Sequence, residues 1–140
     1  MANDAHLKEL RLGVNYWNNW RKHHFSEQPD FSGADLSGIN LSGINLIGAN
    51  LSKVNLSLAN LSGAFLSCAN LNAAYLSEAN LCKANLSKAN LTKADLSFAD
   101  LTAATLIETD LNRATLIEAV MVSANLSFAD LNRANLSKAN

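Results

Sequence analysis

Residues 30–59 read DFSGA-DLSGI-NLSGI-NLIGA-NLSKV-NLSLA, six fives in which a large apolar residue always stands second. Carried along the chain, these centres fall at Phe31, Leu36, Leu41 and every fifth residue through Leu136, twenty-two blocks without a slip of phase. Twenty centres are Leu; the others are Phe31 and Met121. Ala stands two residues before the centre in seventeen blocks, and Asn or Asp stands one before it in seventeen. Ser, Thr or Asn usually follows the centre, and the next position is free.

A period of five suits neither ordinary element. On an α-helix, five steps of about 100° carry each Leu about 140° around the axis, so no apolar stripe forms. On a continuous strand, residues five apart face opposite ways, which would split the Leu set between core and water. The pattern is consistent only if the chain turns a corner once per block. Ala-Asn-Leu then alternates in-out-in, as a strand does, and the remaining two residues make the corner. A three-residue side is roughly 10 Å long, a span that Leu and Ala fill from opposite walls. Four sides of five residues close a coil of about twenty, and coils stack about 4.8 Å apart.

The A-(D/N)-L-x-x pattern, as in Ala84-Asn85-Leu86-Ser87-Lys88, resembles the pentapeptide-repeat family over residues 29–140. The resemblance implies an all-β solenoid, a right-handed quadrilateral β-helix with Leu and Ala inward and the other three positions outward. Twenty-two blocks at four per coil give about five and a half coils, a rod roughly 25 Å long. We divide the chain into a helical cap and lead-in, 1–29, and the β-helix, 30–140.

In the lead-in, Asn3 or Asp4 can cap a helix, and Leu7, Leu10, Val14 and Trp17 recur at helical spacing. This predicts one amphipathic helix over 4–23, interrupted or weakened at Gly13. Trp17 and Trp20 give it an aromatic face, which either binds a partner or closes the end of the rod. The lid is the better reading, because an open β-helix end exposes apolar cross-section and unpaired edges.

The 140 residues suit one domain, and eleven basic against twelve acidic residues leave a net charge of −1. That balance gives no bulk field for nucleic acid or an anionic membrane surface. Apolar runs are far short of a bilayer span, and the N-terminus lacks the apolar core of a signal peptide, so a cytoplasmic protein without membrane insertion is expected. Histidine occurs only at His6, His23 and His24, which leaves the repeats without a general base and excludes a Ser-His-Asp or Cys-His arrangement there. Cys68 and Cys82 fall on different sides, facing outward and unbonded. The Asn and Asp before the centres are read as partners for corner backbone rather than calcium ligands, because neutral amides are poor ligands alone. No metal, cofactor or catalytic residue is expected.

Residues twenty apart share a column on the rod. One column reads Gly33, Lys53, Ala73, Lys93, Arg113, Arg133, a basic stripe whose plainest role is solvation. Apolar residues replace polar ones at Ile107, Ile117, Val120 and Val122, with Phe65 and Tyr75 lower down, forming a candidate contact surface. The last inward ring, Met121, Leu126, Leu131 and Leu136, has no cap after it in the sequence. Either more chain follows, or this end meets a second copy as a homodimer.

These features point to a non-catalytic structural or protein-interaction module, a short rod offering flat faces to a partner or to itself. The family resemblance implies an alternative, since some pentapeptide-repeat proteins mimic DNA toward gyrase and protect it from quinolones. Mimicry needs a strongly negative rod, and residues 30–140 hold nine acids and seven bases.

Overall fold

The computed structural model describes residues 1–140. Two helices come first, α1 at Asp4–Leu10 and α2 at Val14–His23. The Asn3 side chain caps α1 by accepting from the amides of Ala5 and His6 at 2.9 and 3.4 Å. The break between the helices falls at Gly13, whose φ of +103° no other residue adopts without strain. No helix is long and apolar enough to cross a membrane.

From Asp30 onward the residue before each centre pairs in parallel with the residue twenty further on: Asp30 with Asn50, Asn50 with Asn70, Asp35 with Asn55, and so to Thr115 with Asn135. Pairing at twenty makes four five-residue sides per coil. Each side is held by one bridging residue rather than by the three-residue strand that alternation suggests, because a turn begins at once on leaving the centre.

The block Asn70–Ala74 shows where its backbone groups go. The amide of Asn70 donates to Ala49 in the preceding coil, while those of Leu71 and Ala73 donate to Asn90 and Thr92 in the following one. The Ala74 amide closes the turn onto the Leu71 carbonyl. The remaining amide, that of Asn72, is taken by the Asn70 side-chain oxygen at 3.1 Å. All five donors are satisfied, so Asn or Asp before the centre serves the corner, as the sequence suggests. Only the Ala73 carbonyl lacks a partner, and it lies in a partly exposed corner.

The residue two after each centre has φ between 54° and 69° at all twenty-two corners. A positive φ in the third place of a four-residue turn is the type II pattern. Five of these residues are Gly; seventeen carry side chains, each at a cost of about 1–2 kcal/mol. The closing turn bond and the bond to the next coil hold them there.

Inward, the Leu and Ala columns from Leu41 to Ala119 are almost wholly shielded from water. Thr109 takes an Ala position inside the core, and its hydroxyl donates to the Leu86 carbonyl at 2.8 Å. Burial of each Leu contributes about 1.5–3 kcal/mol, which over a column outweighs the strained corners.

The helices lie across the first coil. Trp17 is fully buried against Phe31, with ring centres 5.3 Å apart, and stacks on Trp20, which stacks on His24. The Trp17 indole donates to the Asn45 carbonyl at 2.7 Å, while the Asn18 side chain donates to Gly43 and accepts from the Asn45 amide. Asn3 donates its amide to the Asp30 carbonyl, and the Asp30 amide donates to His6 Nδ1, so the His6 proton sits on Nε2, facing Glu27. Arg21, buried, donates to the carbonyls of His24 and Glu27. Burial pulls its pKa below the ordinary value, and Glu27 partly restores it. These contacts occupy the first-coil edge at Asp30 and Asn45. The edge amides and carbonyls at Asp35 and Asn40 have no backbone or side-chain partner.

Candidate interaction surfaces

The register defines four sides, numbered from Phe31. On the first side the outward residue before the centre is Asp30, Asn50, Asn70, Asn90, Asp110 or Asp130; on the second it is Asp35, Asn55, Tyr75, Asp95, Thr115 or Asn135. The third carries Asn40, Asn60, Asn80, Asp100 and Val120, and the fourth Asn45, Phe65, Asn85, Thr105 and Asn125.

This placement divides the apolar residues singled out in the sequence. Phe65 and Ile107 lie on the fourth side, Tyr75 and Ile117 on the opposite second side, and Val120 and Val122 on the third. They do not form one cluster, and Ile107 and Ile117 are only partly exposed. Side assignment follows the register modulo twenty, so nearness in sequence misleads.

Three large exposed apolar residues in the free corner position are, like Ile47, absent from the sequence reading: Leu58, Phe98 and Phe128, at 62%, 54% and 88% exposure. There the left-handed backbone keeps the side chain out of the core. Leu58 and Phe98 share the corner column after the second side, with Glu78 between them. An apolar residue at that position was itself the available signal.

The basic stripe forms the corner column between the first and second sides. Its amide bonds run from Lys53 to Asn72, Ala73 to Thr92, Lys93 to Asn112 and Arg113 to Asn132, with Arg133 above. None of its cations is in an ion pair; the pairs on the rod are Lys88–Glu108 and Lys138–Glu118. Met121, Leu126 and Leu131 are partly buried, and Leu136 is 37% exposed. Cys68 and Cys82 are free. His23 and His24, at the C-terminal end of α2, turn Nδ1 onto the carbonyls of Asn19 and Trp20.

Two carboxylates of the first coil are perturbed. The Ser32 amide lowers the pKa of Asp30 below the ordinary 3.8, and hydrogen bonds from the Ser37 hydroxyl and amide lower that of Asp35.

All seventeen Asn and Asp residues before centres accept the amide two residues on. The five exceptions, Phe65, Tyr75, Thr105, Thr115 and Val120, leave the amides of Ser67, Ser77, Ile107, Ile117 and Val122 without a protein partner.

A sequence model of pentapeptide repeats, of eight copies, matches residues 30–67, 69–106 and 99–137. No curated relative matches the sequence. Among solved structures, the pentapeptide repeat protein Rfr23 from the cyanobacterium Cyanothece 51142 is 27% identical, with a TM-score of 0.76 over 88% of this chain and 93% of its own. HetL, a pentapeptide repeat protein involved in heterocyst differentiation regulation in Nostoc, is 33% identical, with a TM-score of 0.44 over 79% of this chain and 65% of its own. QnrB1, a plasmid-mediated fluoroquinolone resistance protein, is 20% identical, with a TM-score of 0.47 over 76% of this chain and 69% of its own.

Proposed function

The chain belongs to the pentapeptide-repeat family of right-handed quadrilateral β-helices, and from that premise we propose that it is a non-catalytic protein-interaction module. In this reading a rod of about five and a half coils, its first coil covered on the Asp30 and Asn45 edges by the two helices, presents outward side chains to a protein partner.

One observation carries the proposal. Five blocks give up the corner bond from Asn or Asp, each worth about 1 kcal/mol, and three of them then place Ile107, Ile117 or Val122 beside the loss. Retaining Phe65, Tyr75 and Val120 against that cost fits a role in contact. The duplex-mimic alternative lacks comparable support, since the repeats net only −2 and their longest run of like charge is basic.

The test is to restore the consensus. Phe65→Asn, Tyr75→Asn and Val120→Asn should each raise thermal stability, by about 1 kcal/mol. The same variants should lose the partner. If they lower the melting temperature, these residues serve the fold and the reading fails.

A further inference from the structure

Resting on that reading, we propose that the second side docks one amphipathic helix of a partner protein. Its acidic flank would lie on Lys93, Arg113 and Arg133, and its apolar stripe on Tyr75, Leu58 and Phe98.

The second side joins exposed apolar residues to the one run of three unpaired cations on the rod; its far corner, shared with the third side, also carries Glu78, unpaired, and Glu118, paired with Lys138 at 3.3 Å. Tyr75, 55% exposed, stands mid-side with Asn55 and Asp95 as its column neighbours. One bordering corner carries Leu58 and Phe98; the other carries the basic column, with Lys93, Arg113 and Arg133 on consecutive coils and no acid paired to them. The first side has no large exposed apolar residue. The fourth has Ile47, Phe65 and Phe128, but its charges Lys88 and Glu108 pair with each other at 3.7 Å and set no sign for a partner.

Dimensions select a helix. A side is roughly 10 Å across and a helix with side chains about 10–12 Å thick, so one helix spans from corner to corner. Three coils advance about 10 Å between the first and third cation, close to two helical turns of about 5.4 Å each. Acids at i, i+3 or i+4, and i+7 therefore meet successive cations. A strand has nothing to pair with along this side, because the backbone amides there already bond along the rod axis or face outward singly.

The local acids sharpen the specification. Asp95 accepts from the Ser97 amide and hydroxyl at 3.0 and 2.6 Å, and Asp110 and Asp130 accept from the amides of Asn112 and Asn132. Asn132 also gives its side-chain amide to Asp130. Their bonded oxygens are committed to the corners, whereas the cations extend free. Glu78, between Leu58 and Phe98, makes no ion pair, so the partner's far flank must be neutral or basic. Nucleic acid is acidic on every flank and offers no aliphatic stripe, so it fits this surface poorly.

The full chain carrying the photoreactive p-benzoylphenylalanine in place of Tyr75 would be irradiated in its native cells, with Asn70, Asn80 and Asn85 replaced likewise on the other sides. The crosslinked segment would be identified by mass spectrometry. Position 75 should capture a helix with acids on one flank and an apolar stripe. A Lys93→Glu, Arg113→Glu, Arg133→Glu variant, checked for an unchanged circular dichroism spectrum, should reduce that capture about a hundredfold. Capture at 75 of nucleic acid, a second copy of this chain, or a segment without the acidic flank would overturn the proposal, as would capture indifferent to charge reversal. Capture only at another position would overturn the docking side while sparing the interaction reading. No capture at any position would overturn both.

Discussion

The first coil, 31–50, and the last, 121–140, obey the same five-residue rule and share the same four columns, yet they differ at every corner. The first turns on Gly33, Gly38, Gly43 and Gly48, with φ of 65–69°; the last turns on Ser123, Phe128, Arg133 and Lys138, with φ of 58–60°. Phe31, Leu36, Leu41 and Leu46 are all buried, while Met121, Leu126 and Leu131 are half-buried and Leu136 is more open. Corner amides of the first coil donate to the second, while those of Ser123, Phe128, Arg133 and Lys138 in the last make no backbone bond. The backbone reaches one shape at both ends by different means. In the first coil little strain opposes it, and in the last the strain is borne with half the bonds.

The largest test of that contrast is a charge in the core. Leu41→Lys buries an ammonium without a partner and should cost upwards of about 5 kcal/mol, abolishing cooperative folding, whereas Leu136→Lys reaches water and should be mild. Equal effects in circular dichroism melts would mean the two ends are equally closed.

Next comes the anchor of the helices. Trp17→Ala empties a buried site and removes the bond to the Asn45 carbonyl, an expected loss of about 4 kcal/mol. Amide exchange should quicken at Asn45, which now donates to Asn18, and leave Asn125 in the same column at its original rate. Faster exchange at both would show that the helices stabilise the whole rod rather than its first coil.

Exchanging corners is subtler. Gly43 and Ser123 occupy one column, and a Cβ on Gly43 would meet nothing within 4 Å, so only its φ opposes a side chain. Gly43→Ser should destabilise, and Ser123→Gly stabilise, by about 0.5–1 kcal/mol once the greater unfolded-state freedom of glycine is allowed for. Denaturant titration reads both; the same sign for both would refute the strain argument.

The smallest effect concerns pH. Asp30 and Asp35 have folded pKa values below 3.8, so the stability they contribute is full above that value and fades as pH falls through the lower folded one. Asp30→Asn with Asp35→Asn should flatten this acid limb while keeping the corner bonds, as Asn50 and Asn55 do in the same columns. A limb that stays as steep would assign it to other carboxylates.

Much of this was legible in the residues. The phase of twenty-two centres dictated a corner per block, and Asn before Leu announced who would satisfy the corner amide. Gly13 marked the break between the helices. The sequence was less informative where the answer depended on three-dimensional placement. That Trp17 would send its indole proton to Asn45, leaving the edge at Asp35 and Asn40 bare, depends on how two short helices rest on a square coil. The sequence groups Ile107, Ile117, Val120 and Val122 because they lie close along the chain, but each corner turns the chain through a quarter of a circle, so Ile107, Ile117 and the valines fall on three different sides. Leu58 and Phe98 passed unnoticed because a position free to vary carries no consensus to violate.

Pairing at twenty residues gives this molecule a second arithmetic, one of rotation. Deleting or duplicating twenty residues shortens or lengthens the rod by one storey and leaves every column upright. Deleting five preserves each block, the core and the corner bonds, yet turns everything above the cut by a quarter circle relative to everything below. A five-residue loss between Ala73 and Lys93 would carry Arg113 and Arg133 off the edge they share with Lys53 and onto the neighbouring corner. A five-residue length change in such a chain thus keeps the rule by which the core packs but not the surface, and a lineage can re-aim its faces without substituting one of the inward residues it keeps.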